Sequence, residues 1–514
     1  MQPETDIVPE TKHTDSRSRF LGSMLWNQLG RVGEVGLSLL FTVLVVRTLS
    51  SLTFGAYSTI INFLNIAGIL TSLGLSDGLY RYVPLARATQ AQAPLWLFRR
   101  FLLLRLLISL IATTIIGVGR VWLALWFNQP AFETTIWLIL LLFLLYNLLD
   151  LVVSFFSSML WVSNIVLIRL GGQLLNIILL VTLFLFNAPS LPLLLLSLCI
   201  SNLLMLFTAL GLLARAGLFQ KLLAGRSGFQ KQLKQVLSYS RDLWLINFAT
   251  IGLMGQIDII VLALLAKDPL AVAHYSLASL LIGRLYLLAI AWSGSLGSII
   301  STVFIEKKRA GLERYFVYYY RFSLPVHLIP MVALAALSPA LVSFVFGESY
   351  RAVAGLLAIF TIQQVFAAML GSSICASFIN TLGRQKLDLR WRTCCSLLNI
   401  GLDILLAPLW GATGVVIATV TANILLCAIE AWLVRELFAK LGLAYTLKVV
   451  TGVLSGGLLA WLIRGESLAG LALEGSLFAS YLLLFFWLVK PLSQADKQMV
   501  MNIKPGLAKI IRFF

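Results

Sequence analysis

The sequence predicts an all-α polytopic membrane protein with about fourteen transmembrane helices, and three observations carry that reading. Hydrophobic residues make up 60% of the 514 and charged residues 12%, where a soluble domain carries roughly 25% charged residues. Apolar stretches of about 20 residues, the length that crosses a bilayer, recur from Leu39 to Lys490. Positive charge is also unevenly placed. Lys and Arg collect in the tail and loops on the side of residues 1–17, whereas Arg47, Arg120, Lys267, Arg351 and Arg464 fall on the opposite side. This bias puts both termini in the cytoplasm of a cell (inner) membrane protein. It also accounts for the net charge of +18 without any nucleic acid.

The spans run in order near 18–46, 54–75, 101–126, 135–158, 166–187, 190–213, 242–266, 271–300, 322–346, 352–380, 391–409, 412–434, 447–463 and 468–489. Residues 1–17 form a polar tail of mixed charge, so no cleavable signal sequence is expected. Residues 18–240 hold a first bundle of six helices and a cytoplasmic linker, and 241–440 a second bundle of six. Residues 441–490 add helices 13 and 14, and 491–514 alternate Lys with Met, Ile and Phe, as a tail lying on the inner membrane surface does. Loops on the outer side are short, and those at 214–240 and 301–321 are longer and basic.

These lengths exclude several functions. No stretch houses a soluble catalytic domain, and no GxxxxGK[ST] motif occurs, so an ATP-hydrolysing or other enzymatic role is not expected. The five cysteines form no CxxC or Cys/His spacing, so neither zinc nor a disulfide framework is indicated; they read as small buried hydrophobes. No cofactor is expected.

The chain repeats itself. Leu52-Thr53-Phe54-Gly55-Ala56-Tyr57-Ser58 matches Leu270-Ala271-Val272-Ala273-His274-Tyr275-Ser276, and Leu174-Leu175-Asn176-Ile177 recurs as Leu397-Leu398-Asn399-Ile400, at offsets of 218 and 223 residues. Two matches in order at nearly one offset predict duplicated, like-oriented bundles, the plan of a transporter with alternating access.

Polar residues inside the spans predict where a ligand sits. A charge at a helix centre costs about 2.5–3.5 kcal/mol on insertion scales, so it faces a cavity or a partner. The first span carries Asn27, Arg31, Glu34 and Ser38 at spacings of four, three and four, one helical face. Further stripes are Ser58, Asn62, Asn65 and Ser72; Asn147, Asp150, Ser154 and Ser157; Asn247, Thr250 and Asp258; and Ser396, Asn399 and Asp403. Arg31 and Glu34 fit either a structural salt bridge or a cavity site. Arg284, with no acid within a turn, fits a ligand site, whereas Asp403 and Glu430 also fit an interfacial position near helix ends. His327 reads as a packed core residue, and Gly283 and Gly371 as helix contacts.

Arg47-Thr-Leu-Ser-Ser-Leu-Thr-Phe-Gly55-Ala-Tyr57-Ser58, followed by Leu73-Gly74-Leu75, resembles the opening of bacterial polysaccharide (O-antigen type) flippases. So do Gln256-Ile-Asp258 leading to Ala273-His-Tyr275-Ser, and Leu382-Gly383-Arg384-Gln385 followed by Asn399 and Pro408-Leu-Trp-Gly411-Ala-Thr-Gly414. The resemblance covers roughly 20–490. It implies two six-helix lobes in a V around a cavity lined by spans 1, 2, 7 and 8. It also implies a polyprenyl-diphosphate-linked oligosaccharide as substrate, membrane lipids as surroundings, and a polysaccharide polymerase or chain-length protein as company. On that reading Arg284, Arg31, Asn27, Asn62, Asn65 and Asn247 bind substrate, and Glu34, Asp258, Asp150 and Asp403 couple transport to H⁺ or Na⁺. A drug or small-cation exporter of the same superfamily and a lipid II flippase are the rival transporters. Lipid II flippases carry a cluster of cavity arginines, against Arg31 and Arg284 here. A membrane glycosyltransferase, ligase or polymerase is the enzymatic rival, and the outer loops are too short to host its site.

Overall fold

A computed structural model describes residues 13–89, 93–186, 189–216, 233–290, 296–439, 441, 443–463 and 468–490; the side chains of 13–29, 31, 87–89, 162, 246, 250–251, 254, 288–290, 296–299 and 301–310 are not among those described. The tail at 491–514 and the linker cations Lys221, Arg226 and Lys231 lie outside these residues.

The chain opens with α1 (His13–Thr48), α2 (Ser51–Ser72), α3 (Leu75–Thr89), α4 (Ala93–Val118) and the short α5 (Arg120–Trp126) and α6 (Ala131–Thr134). It continues with α7 (Ile136–Ser158), α8 (Val162–Phe186), α9 (Leu191–Arg215) and α10 (Leu233–Asn247). A π-helix (Phe248–Gln256) leads into α11 (Ile257–Leu265), α12 (Pro269–Ile290), α13 (Leu296–Phe346) and a 3-10 turn, Glu348–Tyr350. Then come α14 (Val353–Met369), α15 (Ser372–Thr381), α16 (Gln385–Leu433), α17 (Arg435–Phe438), α18 (Leu443–Leu462) and α19 (Leu468–Val489).

Sequence explains why these helices belong in lipid. On α4, Leu103, Leu107, Ile111 and Ile115 recur every fourth residue and are exposed, while Phe101, Arg105 and Ser109 are buried. A helix that exposes its leucines and buries its arginine is built for an apolar solvent. Among the described residues, ten helices are long and apolar enough to cross a membrane, or eleven if the bent pair α14 and α15 is one span, against the fourteen expected. The chain is a multi-pass membrane protein.

Two local features remove two of the expected spans, α1 has half of its side chains outside those described, and a third feature moves a boundary without changing the count. In α16, Gly411 takes φ 54° and ψ −132°, a conformation open to glycine, so one continuous assignment holds two helical halves. The seventh expected span is cut by the π-helix into pieces shorter than a span. The loop expected at 301–321 is instead part of α13. It stays helical because Leu312, Phe316, Tyr320, Leu324 and Leu328, four apart, are all buried on one stripe.

Contacts divide the chain into two compact units. The first comprises Met1–Leu44, Leu70–Gly119 and Thr135–Trp244. Within it α1 meets α8 closely, with Val166 and Leu170 against Gly30 and Gly33, and Phe98 stacks on Phe155 at 4.3 Å. Between α2 and α3, Gly74 has φ +66°, and a Cβ there would lie 2.0 Å from the Ser240 carbonyl oxygen. The second unit comprises Val45–Ile69, Arg120–Thr134 and Leu245–Phe514. In it α18 and α19 pack on α13: Tyr320 donates to the Met369 carbonyl at 2.6 Å and lies 3.1 Å from the Thr446 hydroxyl. Arg47 donates to the carbonyls of Phe344 and Val345 at the end of α13, where orphan helix carbonyls need donors. Four of the five cysteines are buried as expected, but Cys394 is exposed on α16. Gly371 packs against Tyr320, whereas a Cβ on Gly283 would meet nothing within 4 Å among the described residues.

Candidate functional site

The second unit holds a buried cluster of polar oxygens. Asp258 sits in the first turn of α11, directly after the π-helix, a wide-turn geometry that recurs at functional sites. Tyr275 comes from α12, Asn399 and Asp403 from the first half of α16, and Thr419 from its second half. The kink at Gly411 folds those halves back on each other, with the Leu406 carbonyl oxygen only 2.3 Å from the place of a Cβ on Gly414. Three donors converge on one carboxylate. Tyr275 Oη and Thr419 Oγ1 donate to Asp258 Oδ2 at 2.6 and 2.9 Å, and Asn399 Nδ2 donates to Asp258 Oδ1 at 2.7 Å. The same amide stands 3.4 Å from Asp403 Oδ2.

Two oxygens remain bare. Among the described residues, Asn399 Oδ1 and Asp403 Oδ1 are buried with no hydrogen-bond partner, and both residues are 0% exposed. Among the described residues, no Lys, Arg or His forms an ion pair with Asp258 or Asp403. Two adjacent buried carboxyl groups without a counter-charge cost several kcal/mol unless a proton or a metal cation joins them. The available donors, two carboxylates, an amide carbonyl, the Thr419 hydroxyl and the nearby Val415 carbonyl that Thr419 also contacts at 2.8 Å, are all oxygen. Such a set suits a hard cation. Among the described residues no group of three His, Cys, Asp or Glu could hold a metal ion.

The other expected site residues have surroundings of their own. Glu34 lies 3.7 Å from Arg169 of α8, and the side chains of Arg31 and Asn27 lie outside those described. Asp150 accepts from Ser76 Oγ at 2.8 Å and lies 3.7 Å from Arg105, which is only 3% exposed. Asn62 donates to the Ser58 carbonyl of its own helix. Asn65 is exposed and reaches Gln256 Oε1 at 3.4 Å. Asn247 and Arg284 are half-buried. His327 is buried and 2.8 Å from Gln364. Glu430, which fitted an interfacial position, is buried beside Arg392. Arg105, Arg169 and Arg392 escaped the sequence reading because charges were sorted by loop side, and all three lie inside helices.

Comparison with known proteins bears on this arrangement. Residues 20–305 match the family described as polysaccharide biosynthesis protein. An uncharacterized membrane protein of Methanocaldococcus jannaschii is 22% identical over 458 residues, 84% of this chain and 87% of its own length. Among solved structures, the lipid II flippase MurJ in an inward closed conformation superposes with a TM-score of 0.70 at 16% identity, covering 91% of this chain and 98% of that one. An inward-facing multidrug resistance MATE transporter of the MOP superfamily gives 0.60 at 15% identity, covering 80% and 98%. A MOP-superfamily transporter from Pyrococcus furiosus gives 0.57 at 14% identity, covering 81% and 96%. With more than half of its length matched, the chain belongs to the polysaccharide biosynthesis protein family, and its fold is that of the MOP-superfamily transporters.

Proposed function

We propose that the protein is a flippase that moves a polyprenyl-diphosphate-linked oligosaccharide across the cytoplasmic membrane by alternating access, coupled to a monovalent cation, Na⁺ or H⁺, at the Asp258–Asp403 cluster. The observation that carries the coupling is the pair of bare, fully buried oxygens, Asn399 Oδ1 and Asp403 Oδ1, beside a second carboxylate. A cation entering there joins both carboxylates, draws α11 and the two halves of α16 together, and so favours one conformation over the other. The substrate class follows the family and the chemistry of its head. Sugars take hydrogen bonds from Asn, Ser, Thr and Tyr, and a diphosphate takes Arg, which binds phosphate oxygens bidentately. Arg284 and Arg31 are assigned that role, with Asn27, Asn62, Asn65 and Asn247 toward the sugars.

The cation-exporter alternative needs acidic groups left uncompensated. Glu34 and Asp150 each have an arginine within 3.7 Å, which removes much of the acidity that such a cavity requires. Both termini are placed in the cytoplasm by the charge bias. The test is lipid-linked oligosaccharide in a deletion strain complemented with wild type, Asp258→Asn or Arg284→Ala. Wild type is expected to clear the accumulated intermediate and Arg284→Ala to leave it. A strain that accumulates none, and gains sensitivity to cationic drugs instead, overturns the flippase reading.

A further inference from the structure

The helix that carries Asn399 and Asp403 also carries Asp388, Arg392 and Ser396. These five residues follow one another at intervals of four, four, three and four, one face of α16 running from its start to the cation cluster. Ser396, Asn399 and Asp403 are fully buried. At the start of the lane, Arg392 Nε donates to Asp388 Oδ2 at 2.9 Å and its Nη2 donates to Glu430 Oε1. The other oxygen of Glu430 accepts from Ser372 Oγ at 3.0 Å. Asp388 Oδ1 is buried and has no partner among the described residues. Two carboxyl groups face one guanidinium, so the group holds one acid more than it has base inside the helix bundle. Tyr286 of α12, Cys375 and Cys427 lie near Glu430. Between this group and the cation cluster stands Ser396, whose hydroxyl is shared between the Arg392 carbonyl at 2.8 Å and the π-helical carbonyl of Ala249 at 3.1 Å. Seven residues of helix separate Arg392 from Asn399, a rise of about 10 Å.

We infer that this face is the cytoplasmic path of the coupling cation, and that the Arg392–Glu430–Asp388 group is its inner gate. The inference rests on the coupling site proposed above. Electrostatics supply the reasoning. A guanidinium seated on Glu430 is a tethered positive charge in the path of a mobile one, so it blocks passage while it stays there. The surplus acid makes the same place attractive to a cation once Arg392 moves toward Asp388 alone. A staple joining α15 to the two halves of α16 would not need the surplus acid, because a buried ion pair is often no more stable than apolar packing of equal volume.

The experiment uses the full chain in proteoliposomes without substrate, with ²²Na⁺ uptake in one arm and a trapped pH dye reporting H⁺ in the other. Equilibrium cation binding is measured in parallel on the same protein. Arg392→Gln is expected to raise the flux of the coupling cation at least tenfold while equilibrium binding stays within about twofold. Adding Asp258→Asn is expected to abolish both. The double variant Arg392→Gln/Glu430→Gln, which leaves no carboxylate stripped of its guanidinium at Glu430, is expected to leak as well and decides the matter if the single variant does not fold. Wild-type flux in the double variant, with binding intact, overturns the gate while leaving the coupling site standing. Cation binding that is absent from wild type, or indifferent to Asp258→Asn, overturns the coupling site and the gate with it.

Discussion

At the scale of single residues, the cation cluster is a matter of which oxygen has a donor. Asn399 supplies a hydrogen bond to Asp258 through Nδ2 and keeps Oδ1 bare, so it holds the carboxylate in place and offers a ligand. Hydrogen bonds to charged groups are worth about 1.5–3 kcal/mol. Asn399→Ala is therefore expected to weaken cation binding roughly ten- to hundredfold, read by ²²Na⁺ or H⁺ binding to purified protein; unchanged affinity would remove Asn399 from the site. Arg105 poses the opposite problem. It is buried, its Nε and Nη1 have no partner among the described residues, and its acid Asp150 keeps 55% of its side chain exposed. Unmade hydrogen bonds of a buried group cost about 1–3 kcal/mol, while an open carboxylate is solvated without help. Arg105→Met is thus expected to raise the thermal midpoint of the detergent-solubilised protein. A fall would mean that the guanidinium has a further partner. The polar stripes that contain Asp258, Asn399 and Asp403 are legible in the sequence, because helical spacing alone aligns them. Their convergence is not, since Asp258 meets Asn399 and Thr419 across 141 and 161 residues, and distance from a helix end made Asp403 look interfacial.

At the scale of elements, glycines decide where helices stop. Gly74 combines a positive φ with a neighbouring carbonyl oxygen 2.0 Å from the place of its Cβ, so backbone strain and a clash with fixed backbone act together. Gly74→Ala is expected to cost at least about 2 kcal/mol, seen as a lower thermal midpoint and a smaller monodisperse fraction on size exclusion. Gly68, within α2, where an added Cβ would meet nothing within 4 Å among the described residues, is the control. Gly68→Ala is expected to be neutral or to stabilise by up to about 1 kcal/mol, the helix-propensity difference. Apolar length and the tripeptide Leu73-Gly74-Leu75 place the break after α2 in the sequence reading. The π-helix at 248–256 and the helical run through 301–321 left no comparable trace. The first depends on Ser396 meeting the Ala249 carbonyl across the bundle, and the second on a stripe of buried residues in a segment whose charges look like a loop.

At the scale of the whole molecule, two sources of energy act on the proposed transport and can be separated. A diphosphate head carries about two negative charges, and moving them out of a negative-inside cell gains about 4.6 kcal/mol at 100 mV. This term acts on the substrate and needs no ion site. The cation gradient acts through Asp258 and Asp403, whose carboxyl groups share one donor amide. Replacing Asp258 by Asn leaves the substrate's own charge untouched and removes the residue on which three donors converge. The variant is therefore expected to flip substrate in proteoliposomes whenever a negative-inside potential is set with K⁺ and valinomycin, at a rate indifferent to any imposed Na⁺ or H⁺ gradient. Wild type is expected to respond to both forces. If Asp258→Asn retains the full response to the cation gradient, the cluster does not couple. If it loses the response to potential as well, the cation is required for the conformational change itself, because substrate charge alone then cannot drive the reorientation.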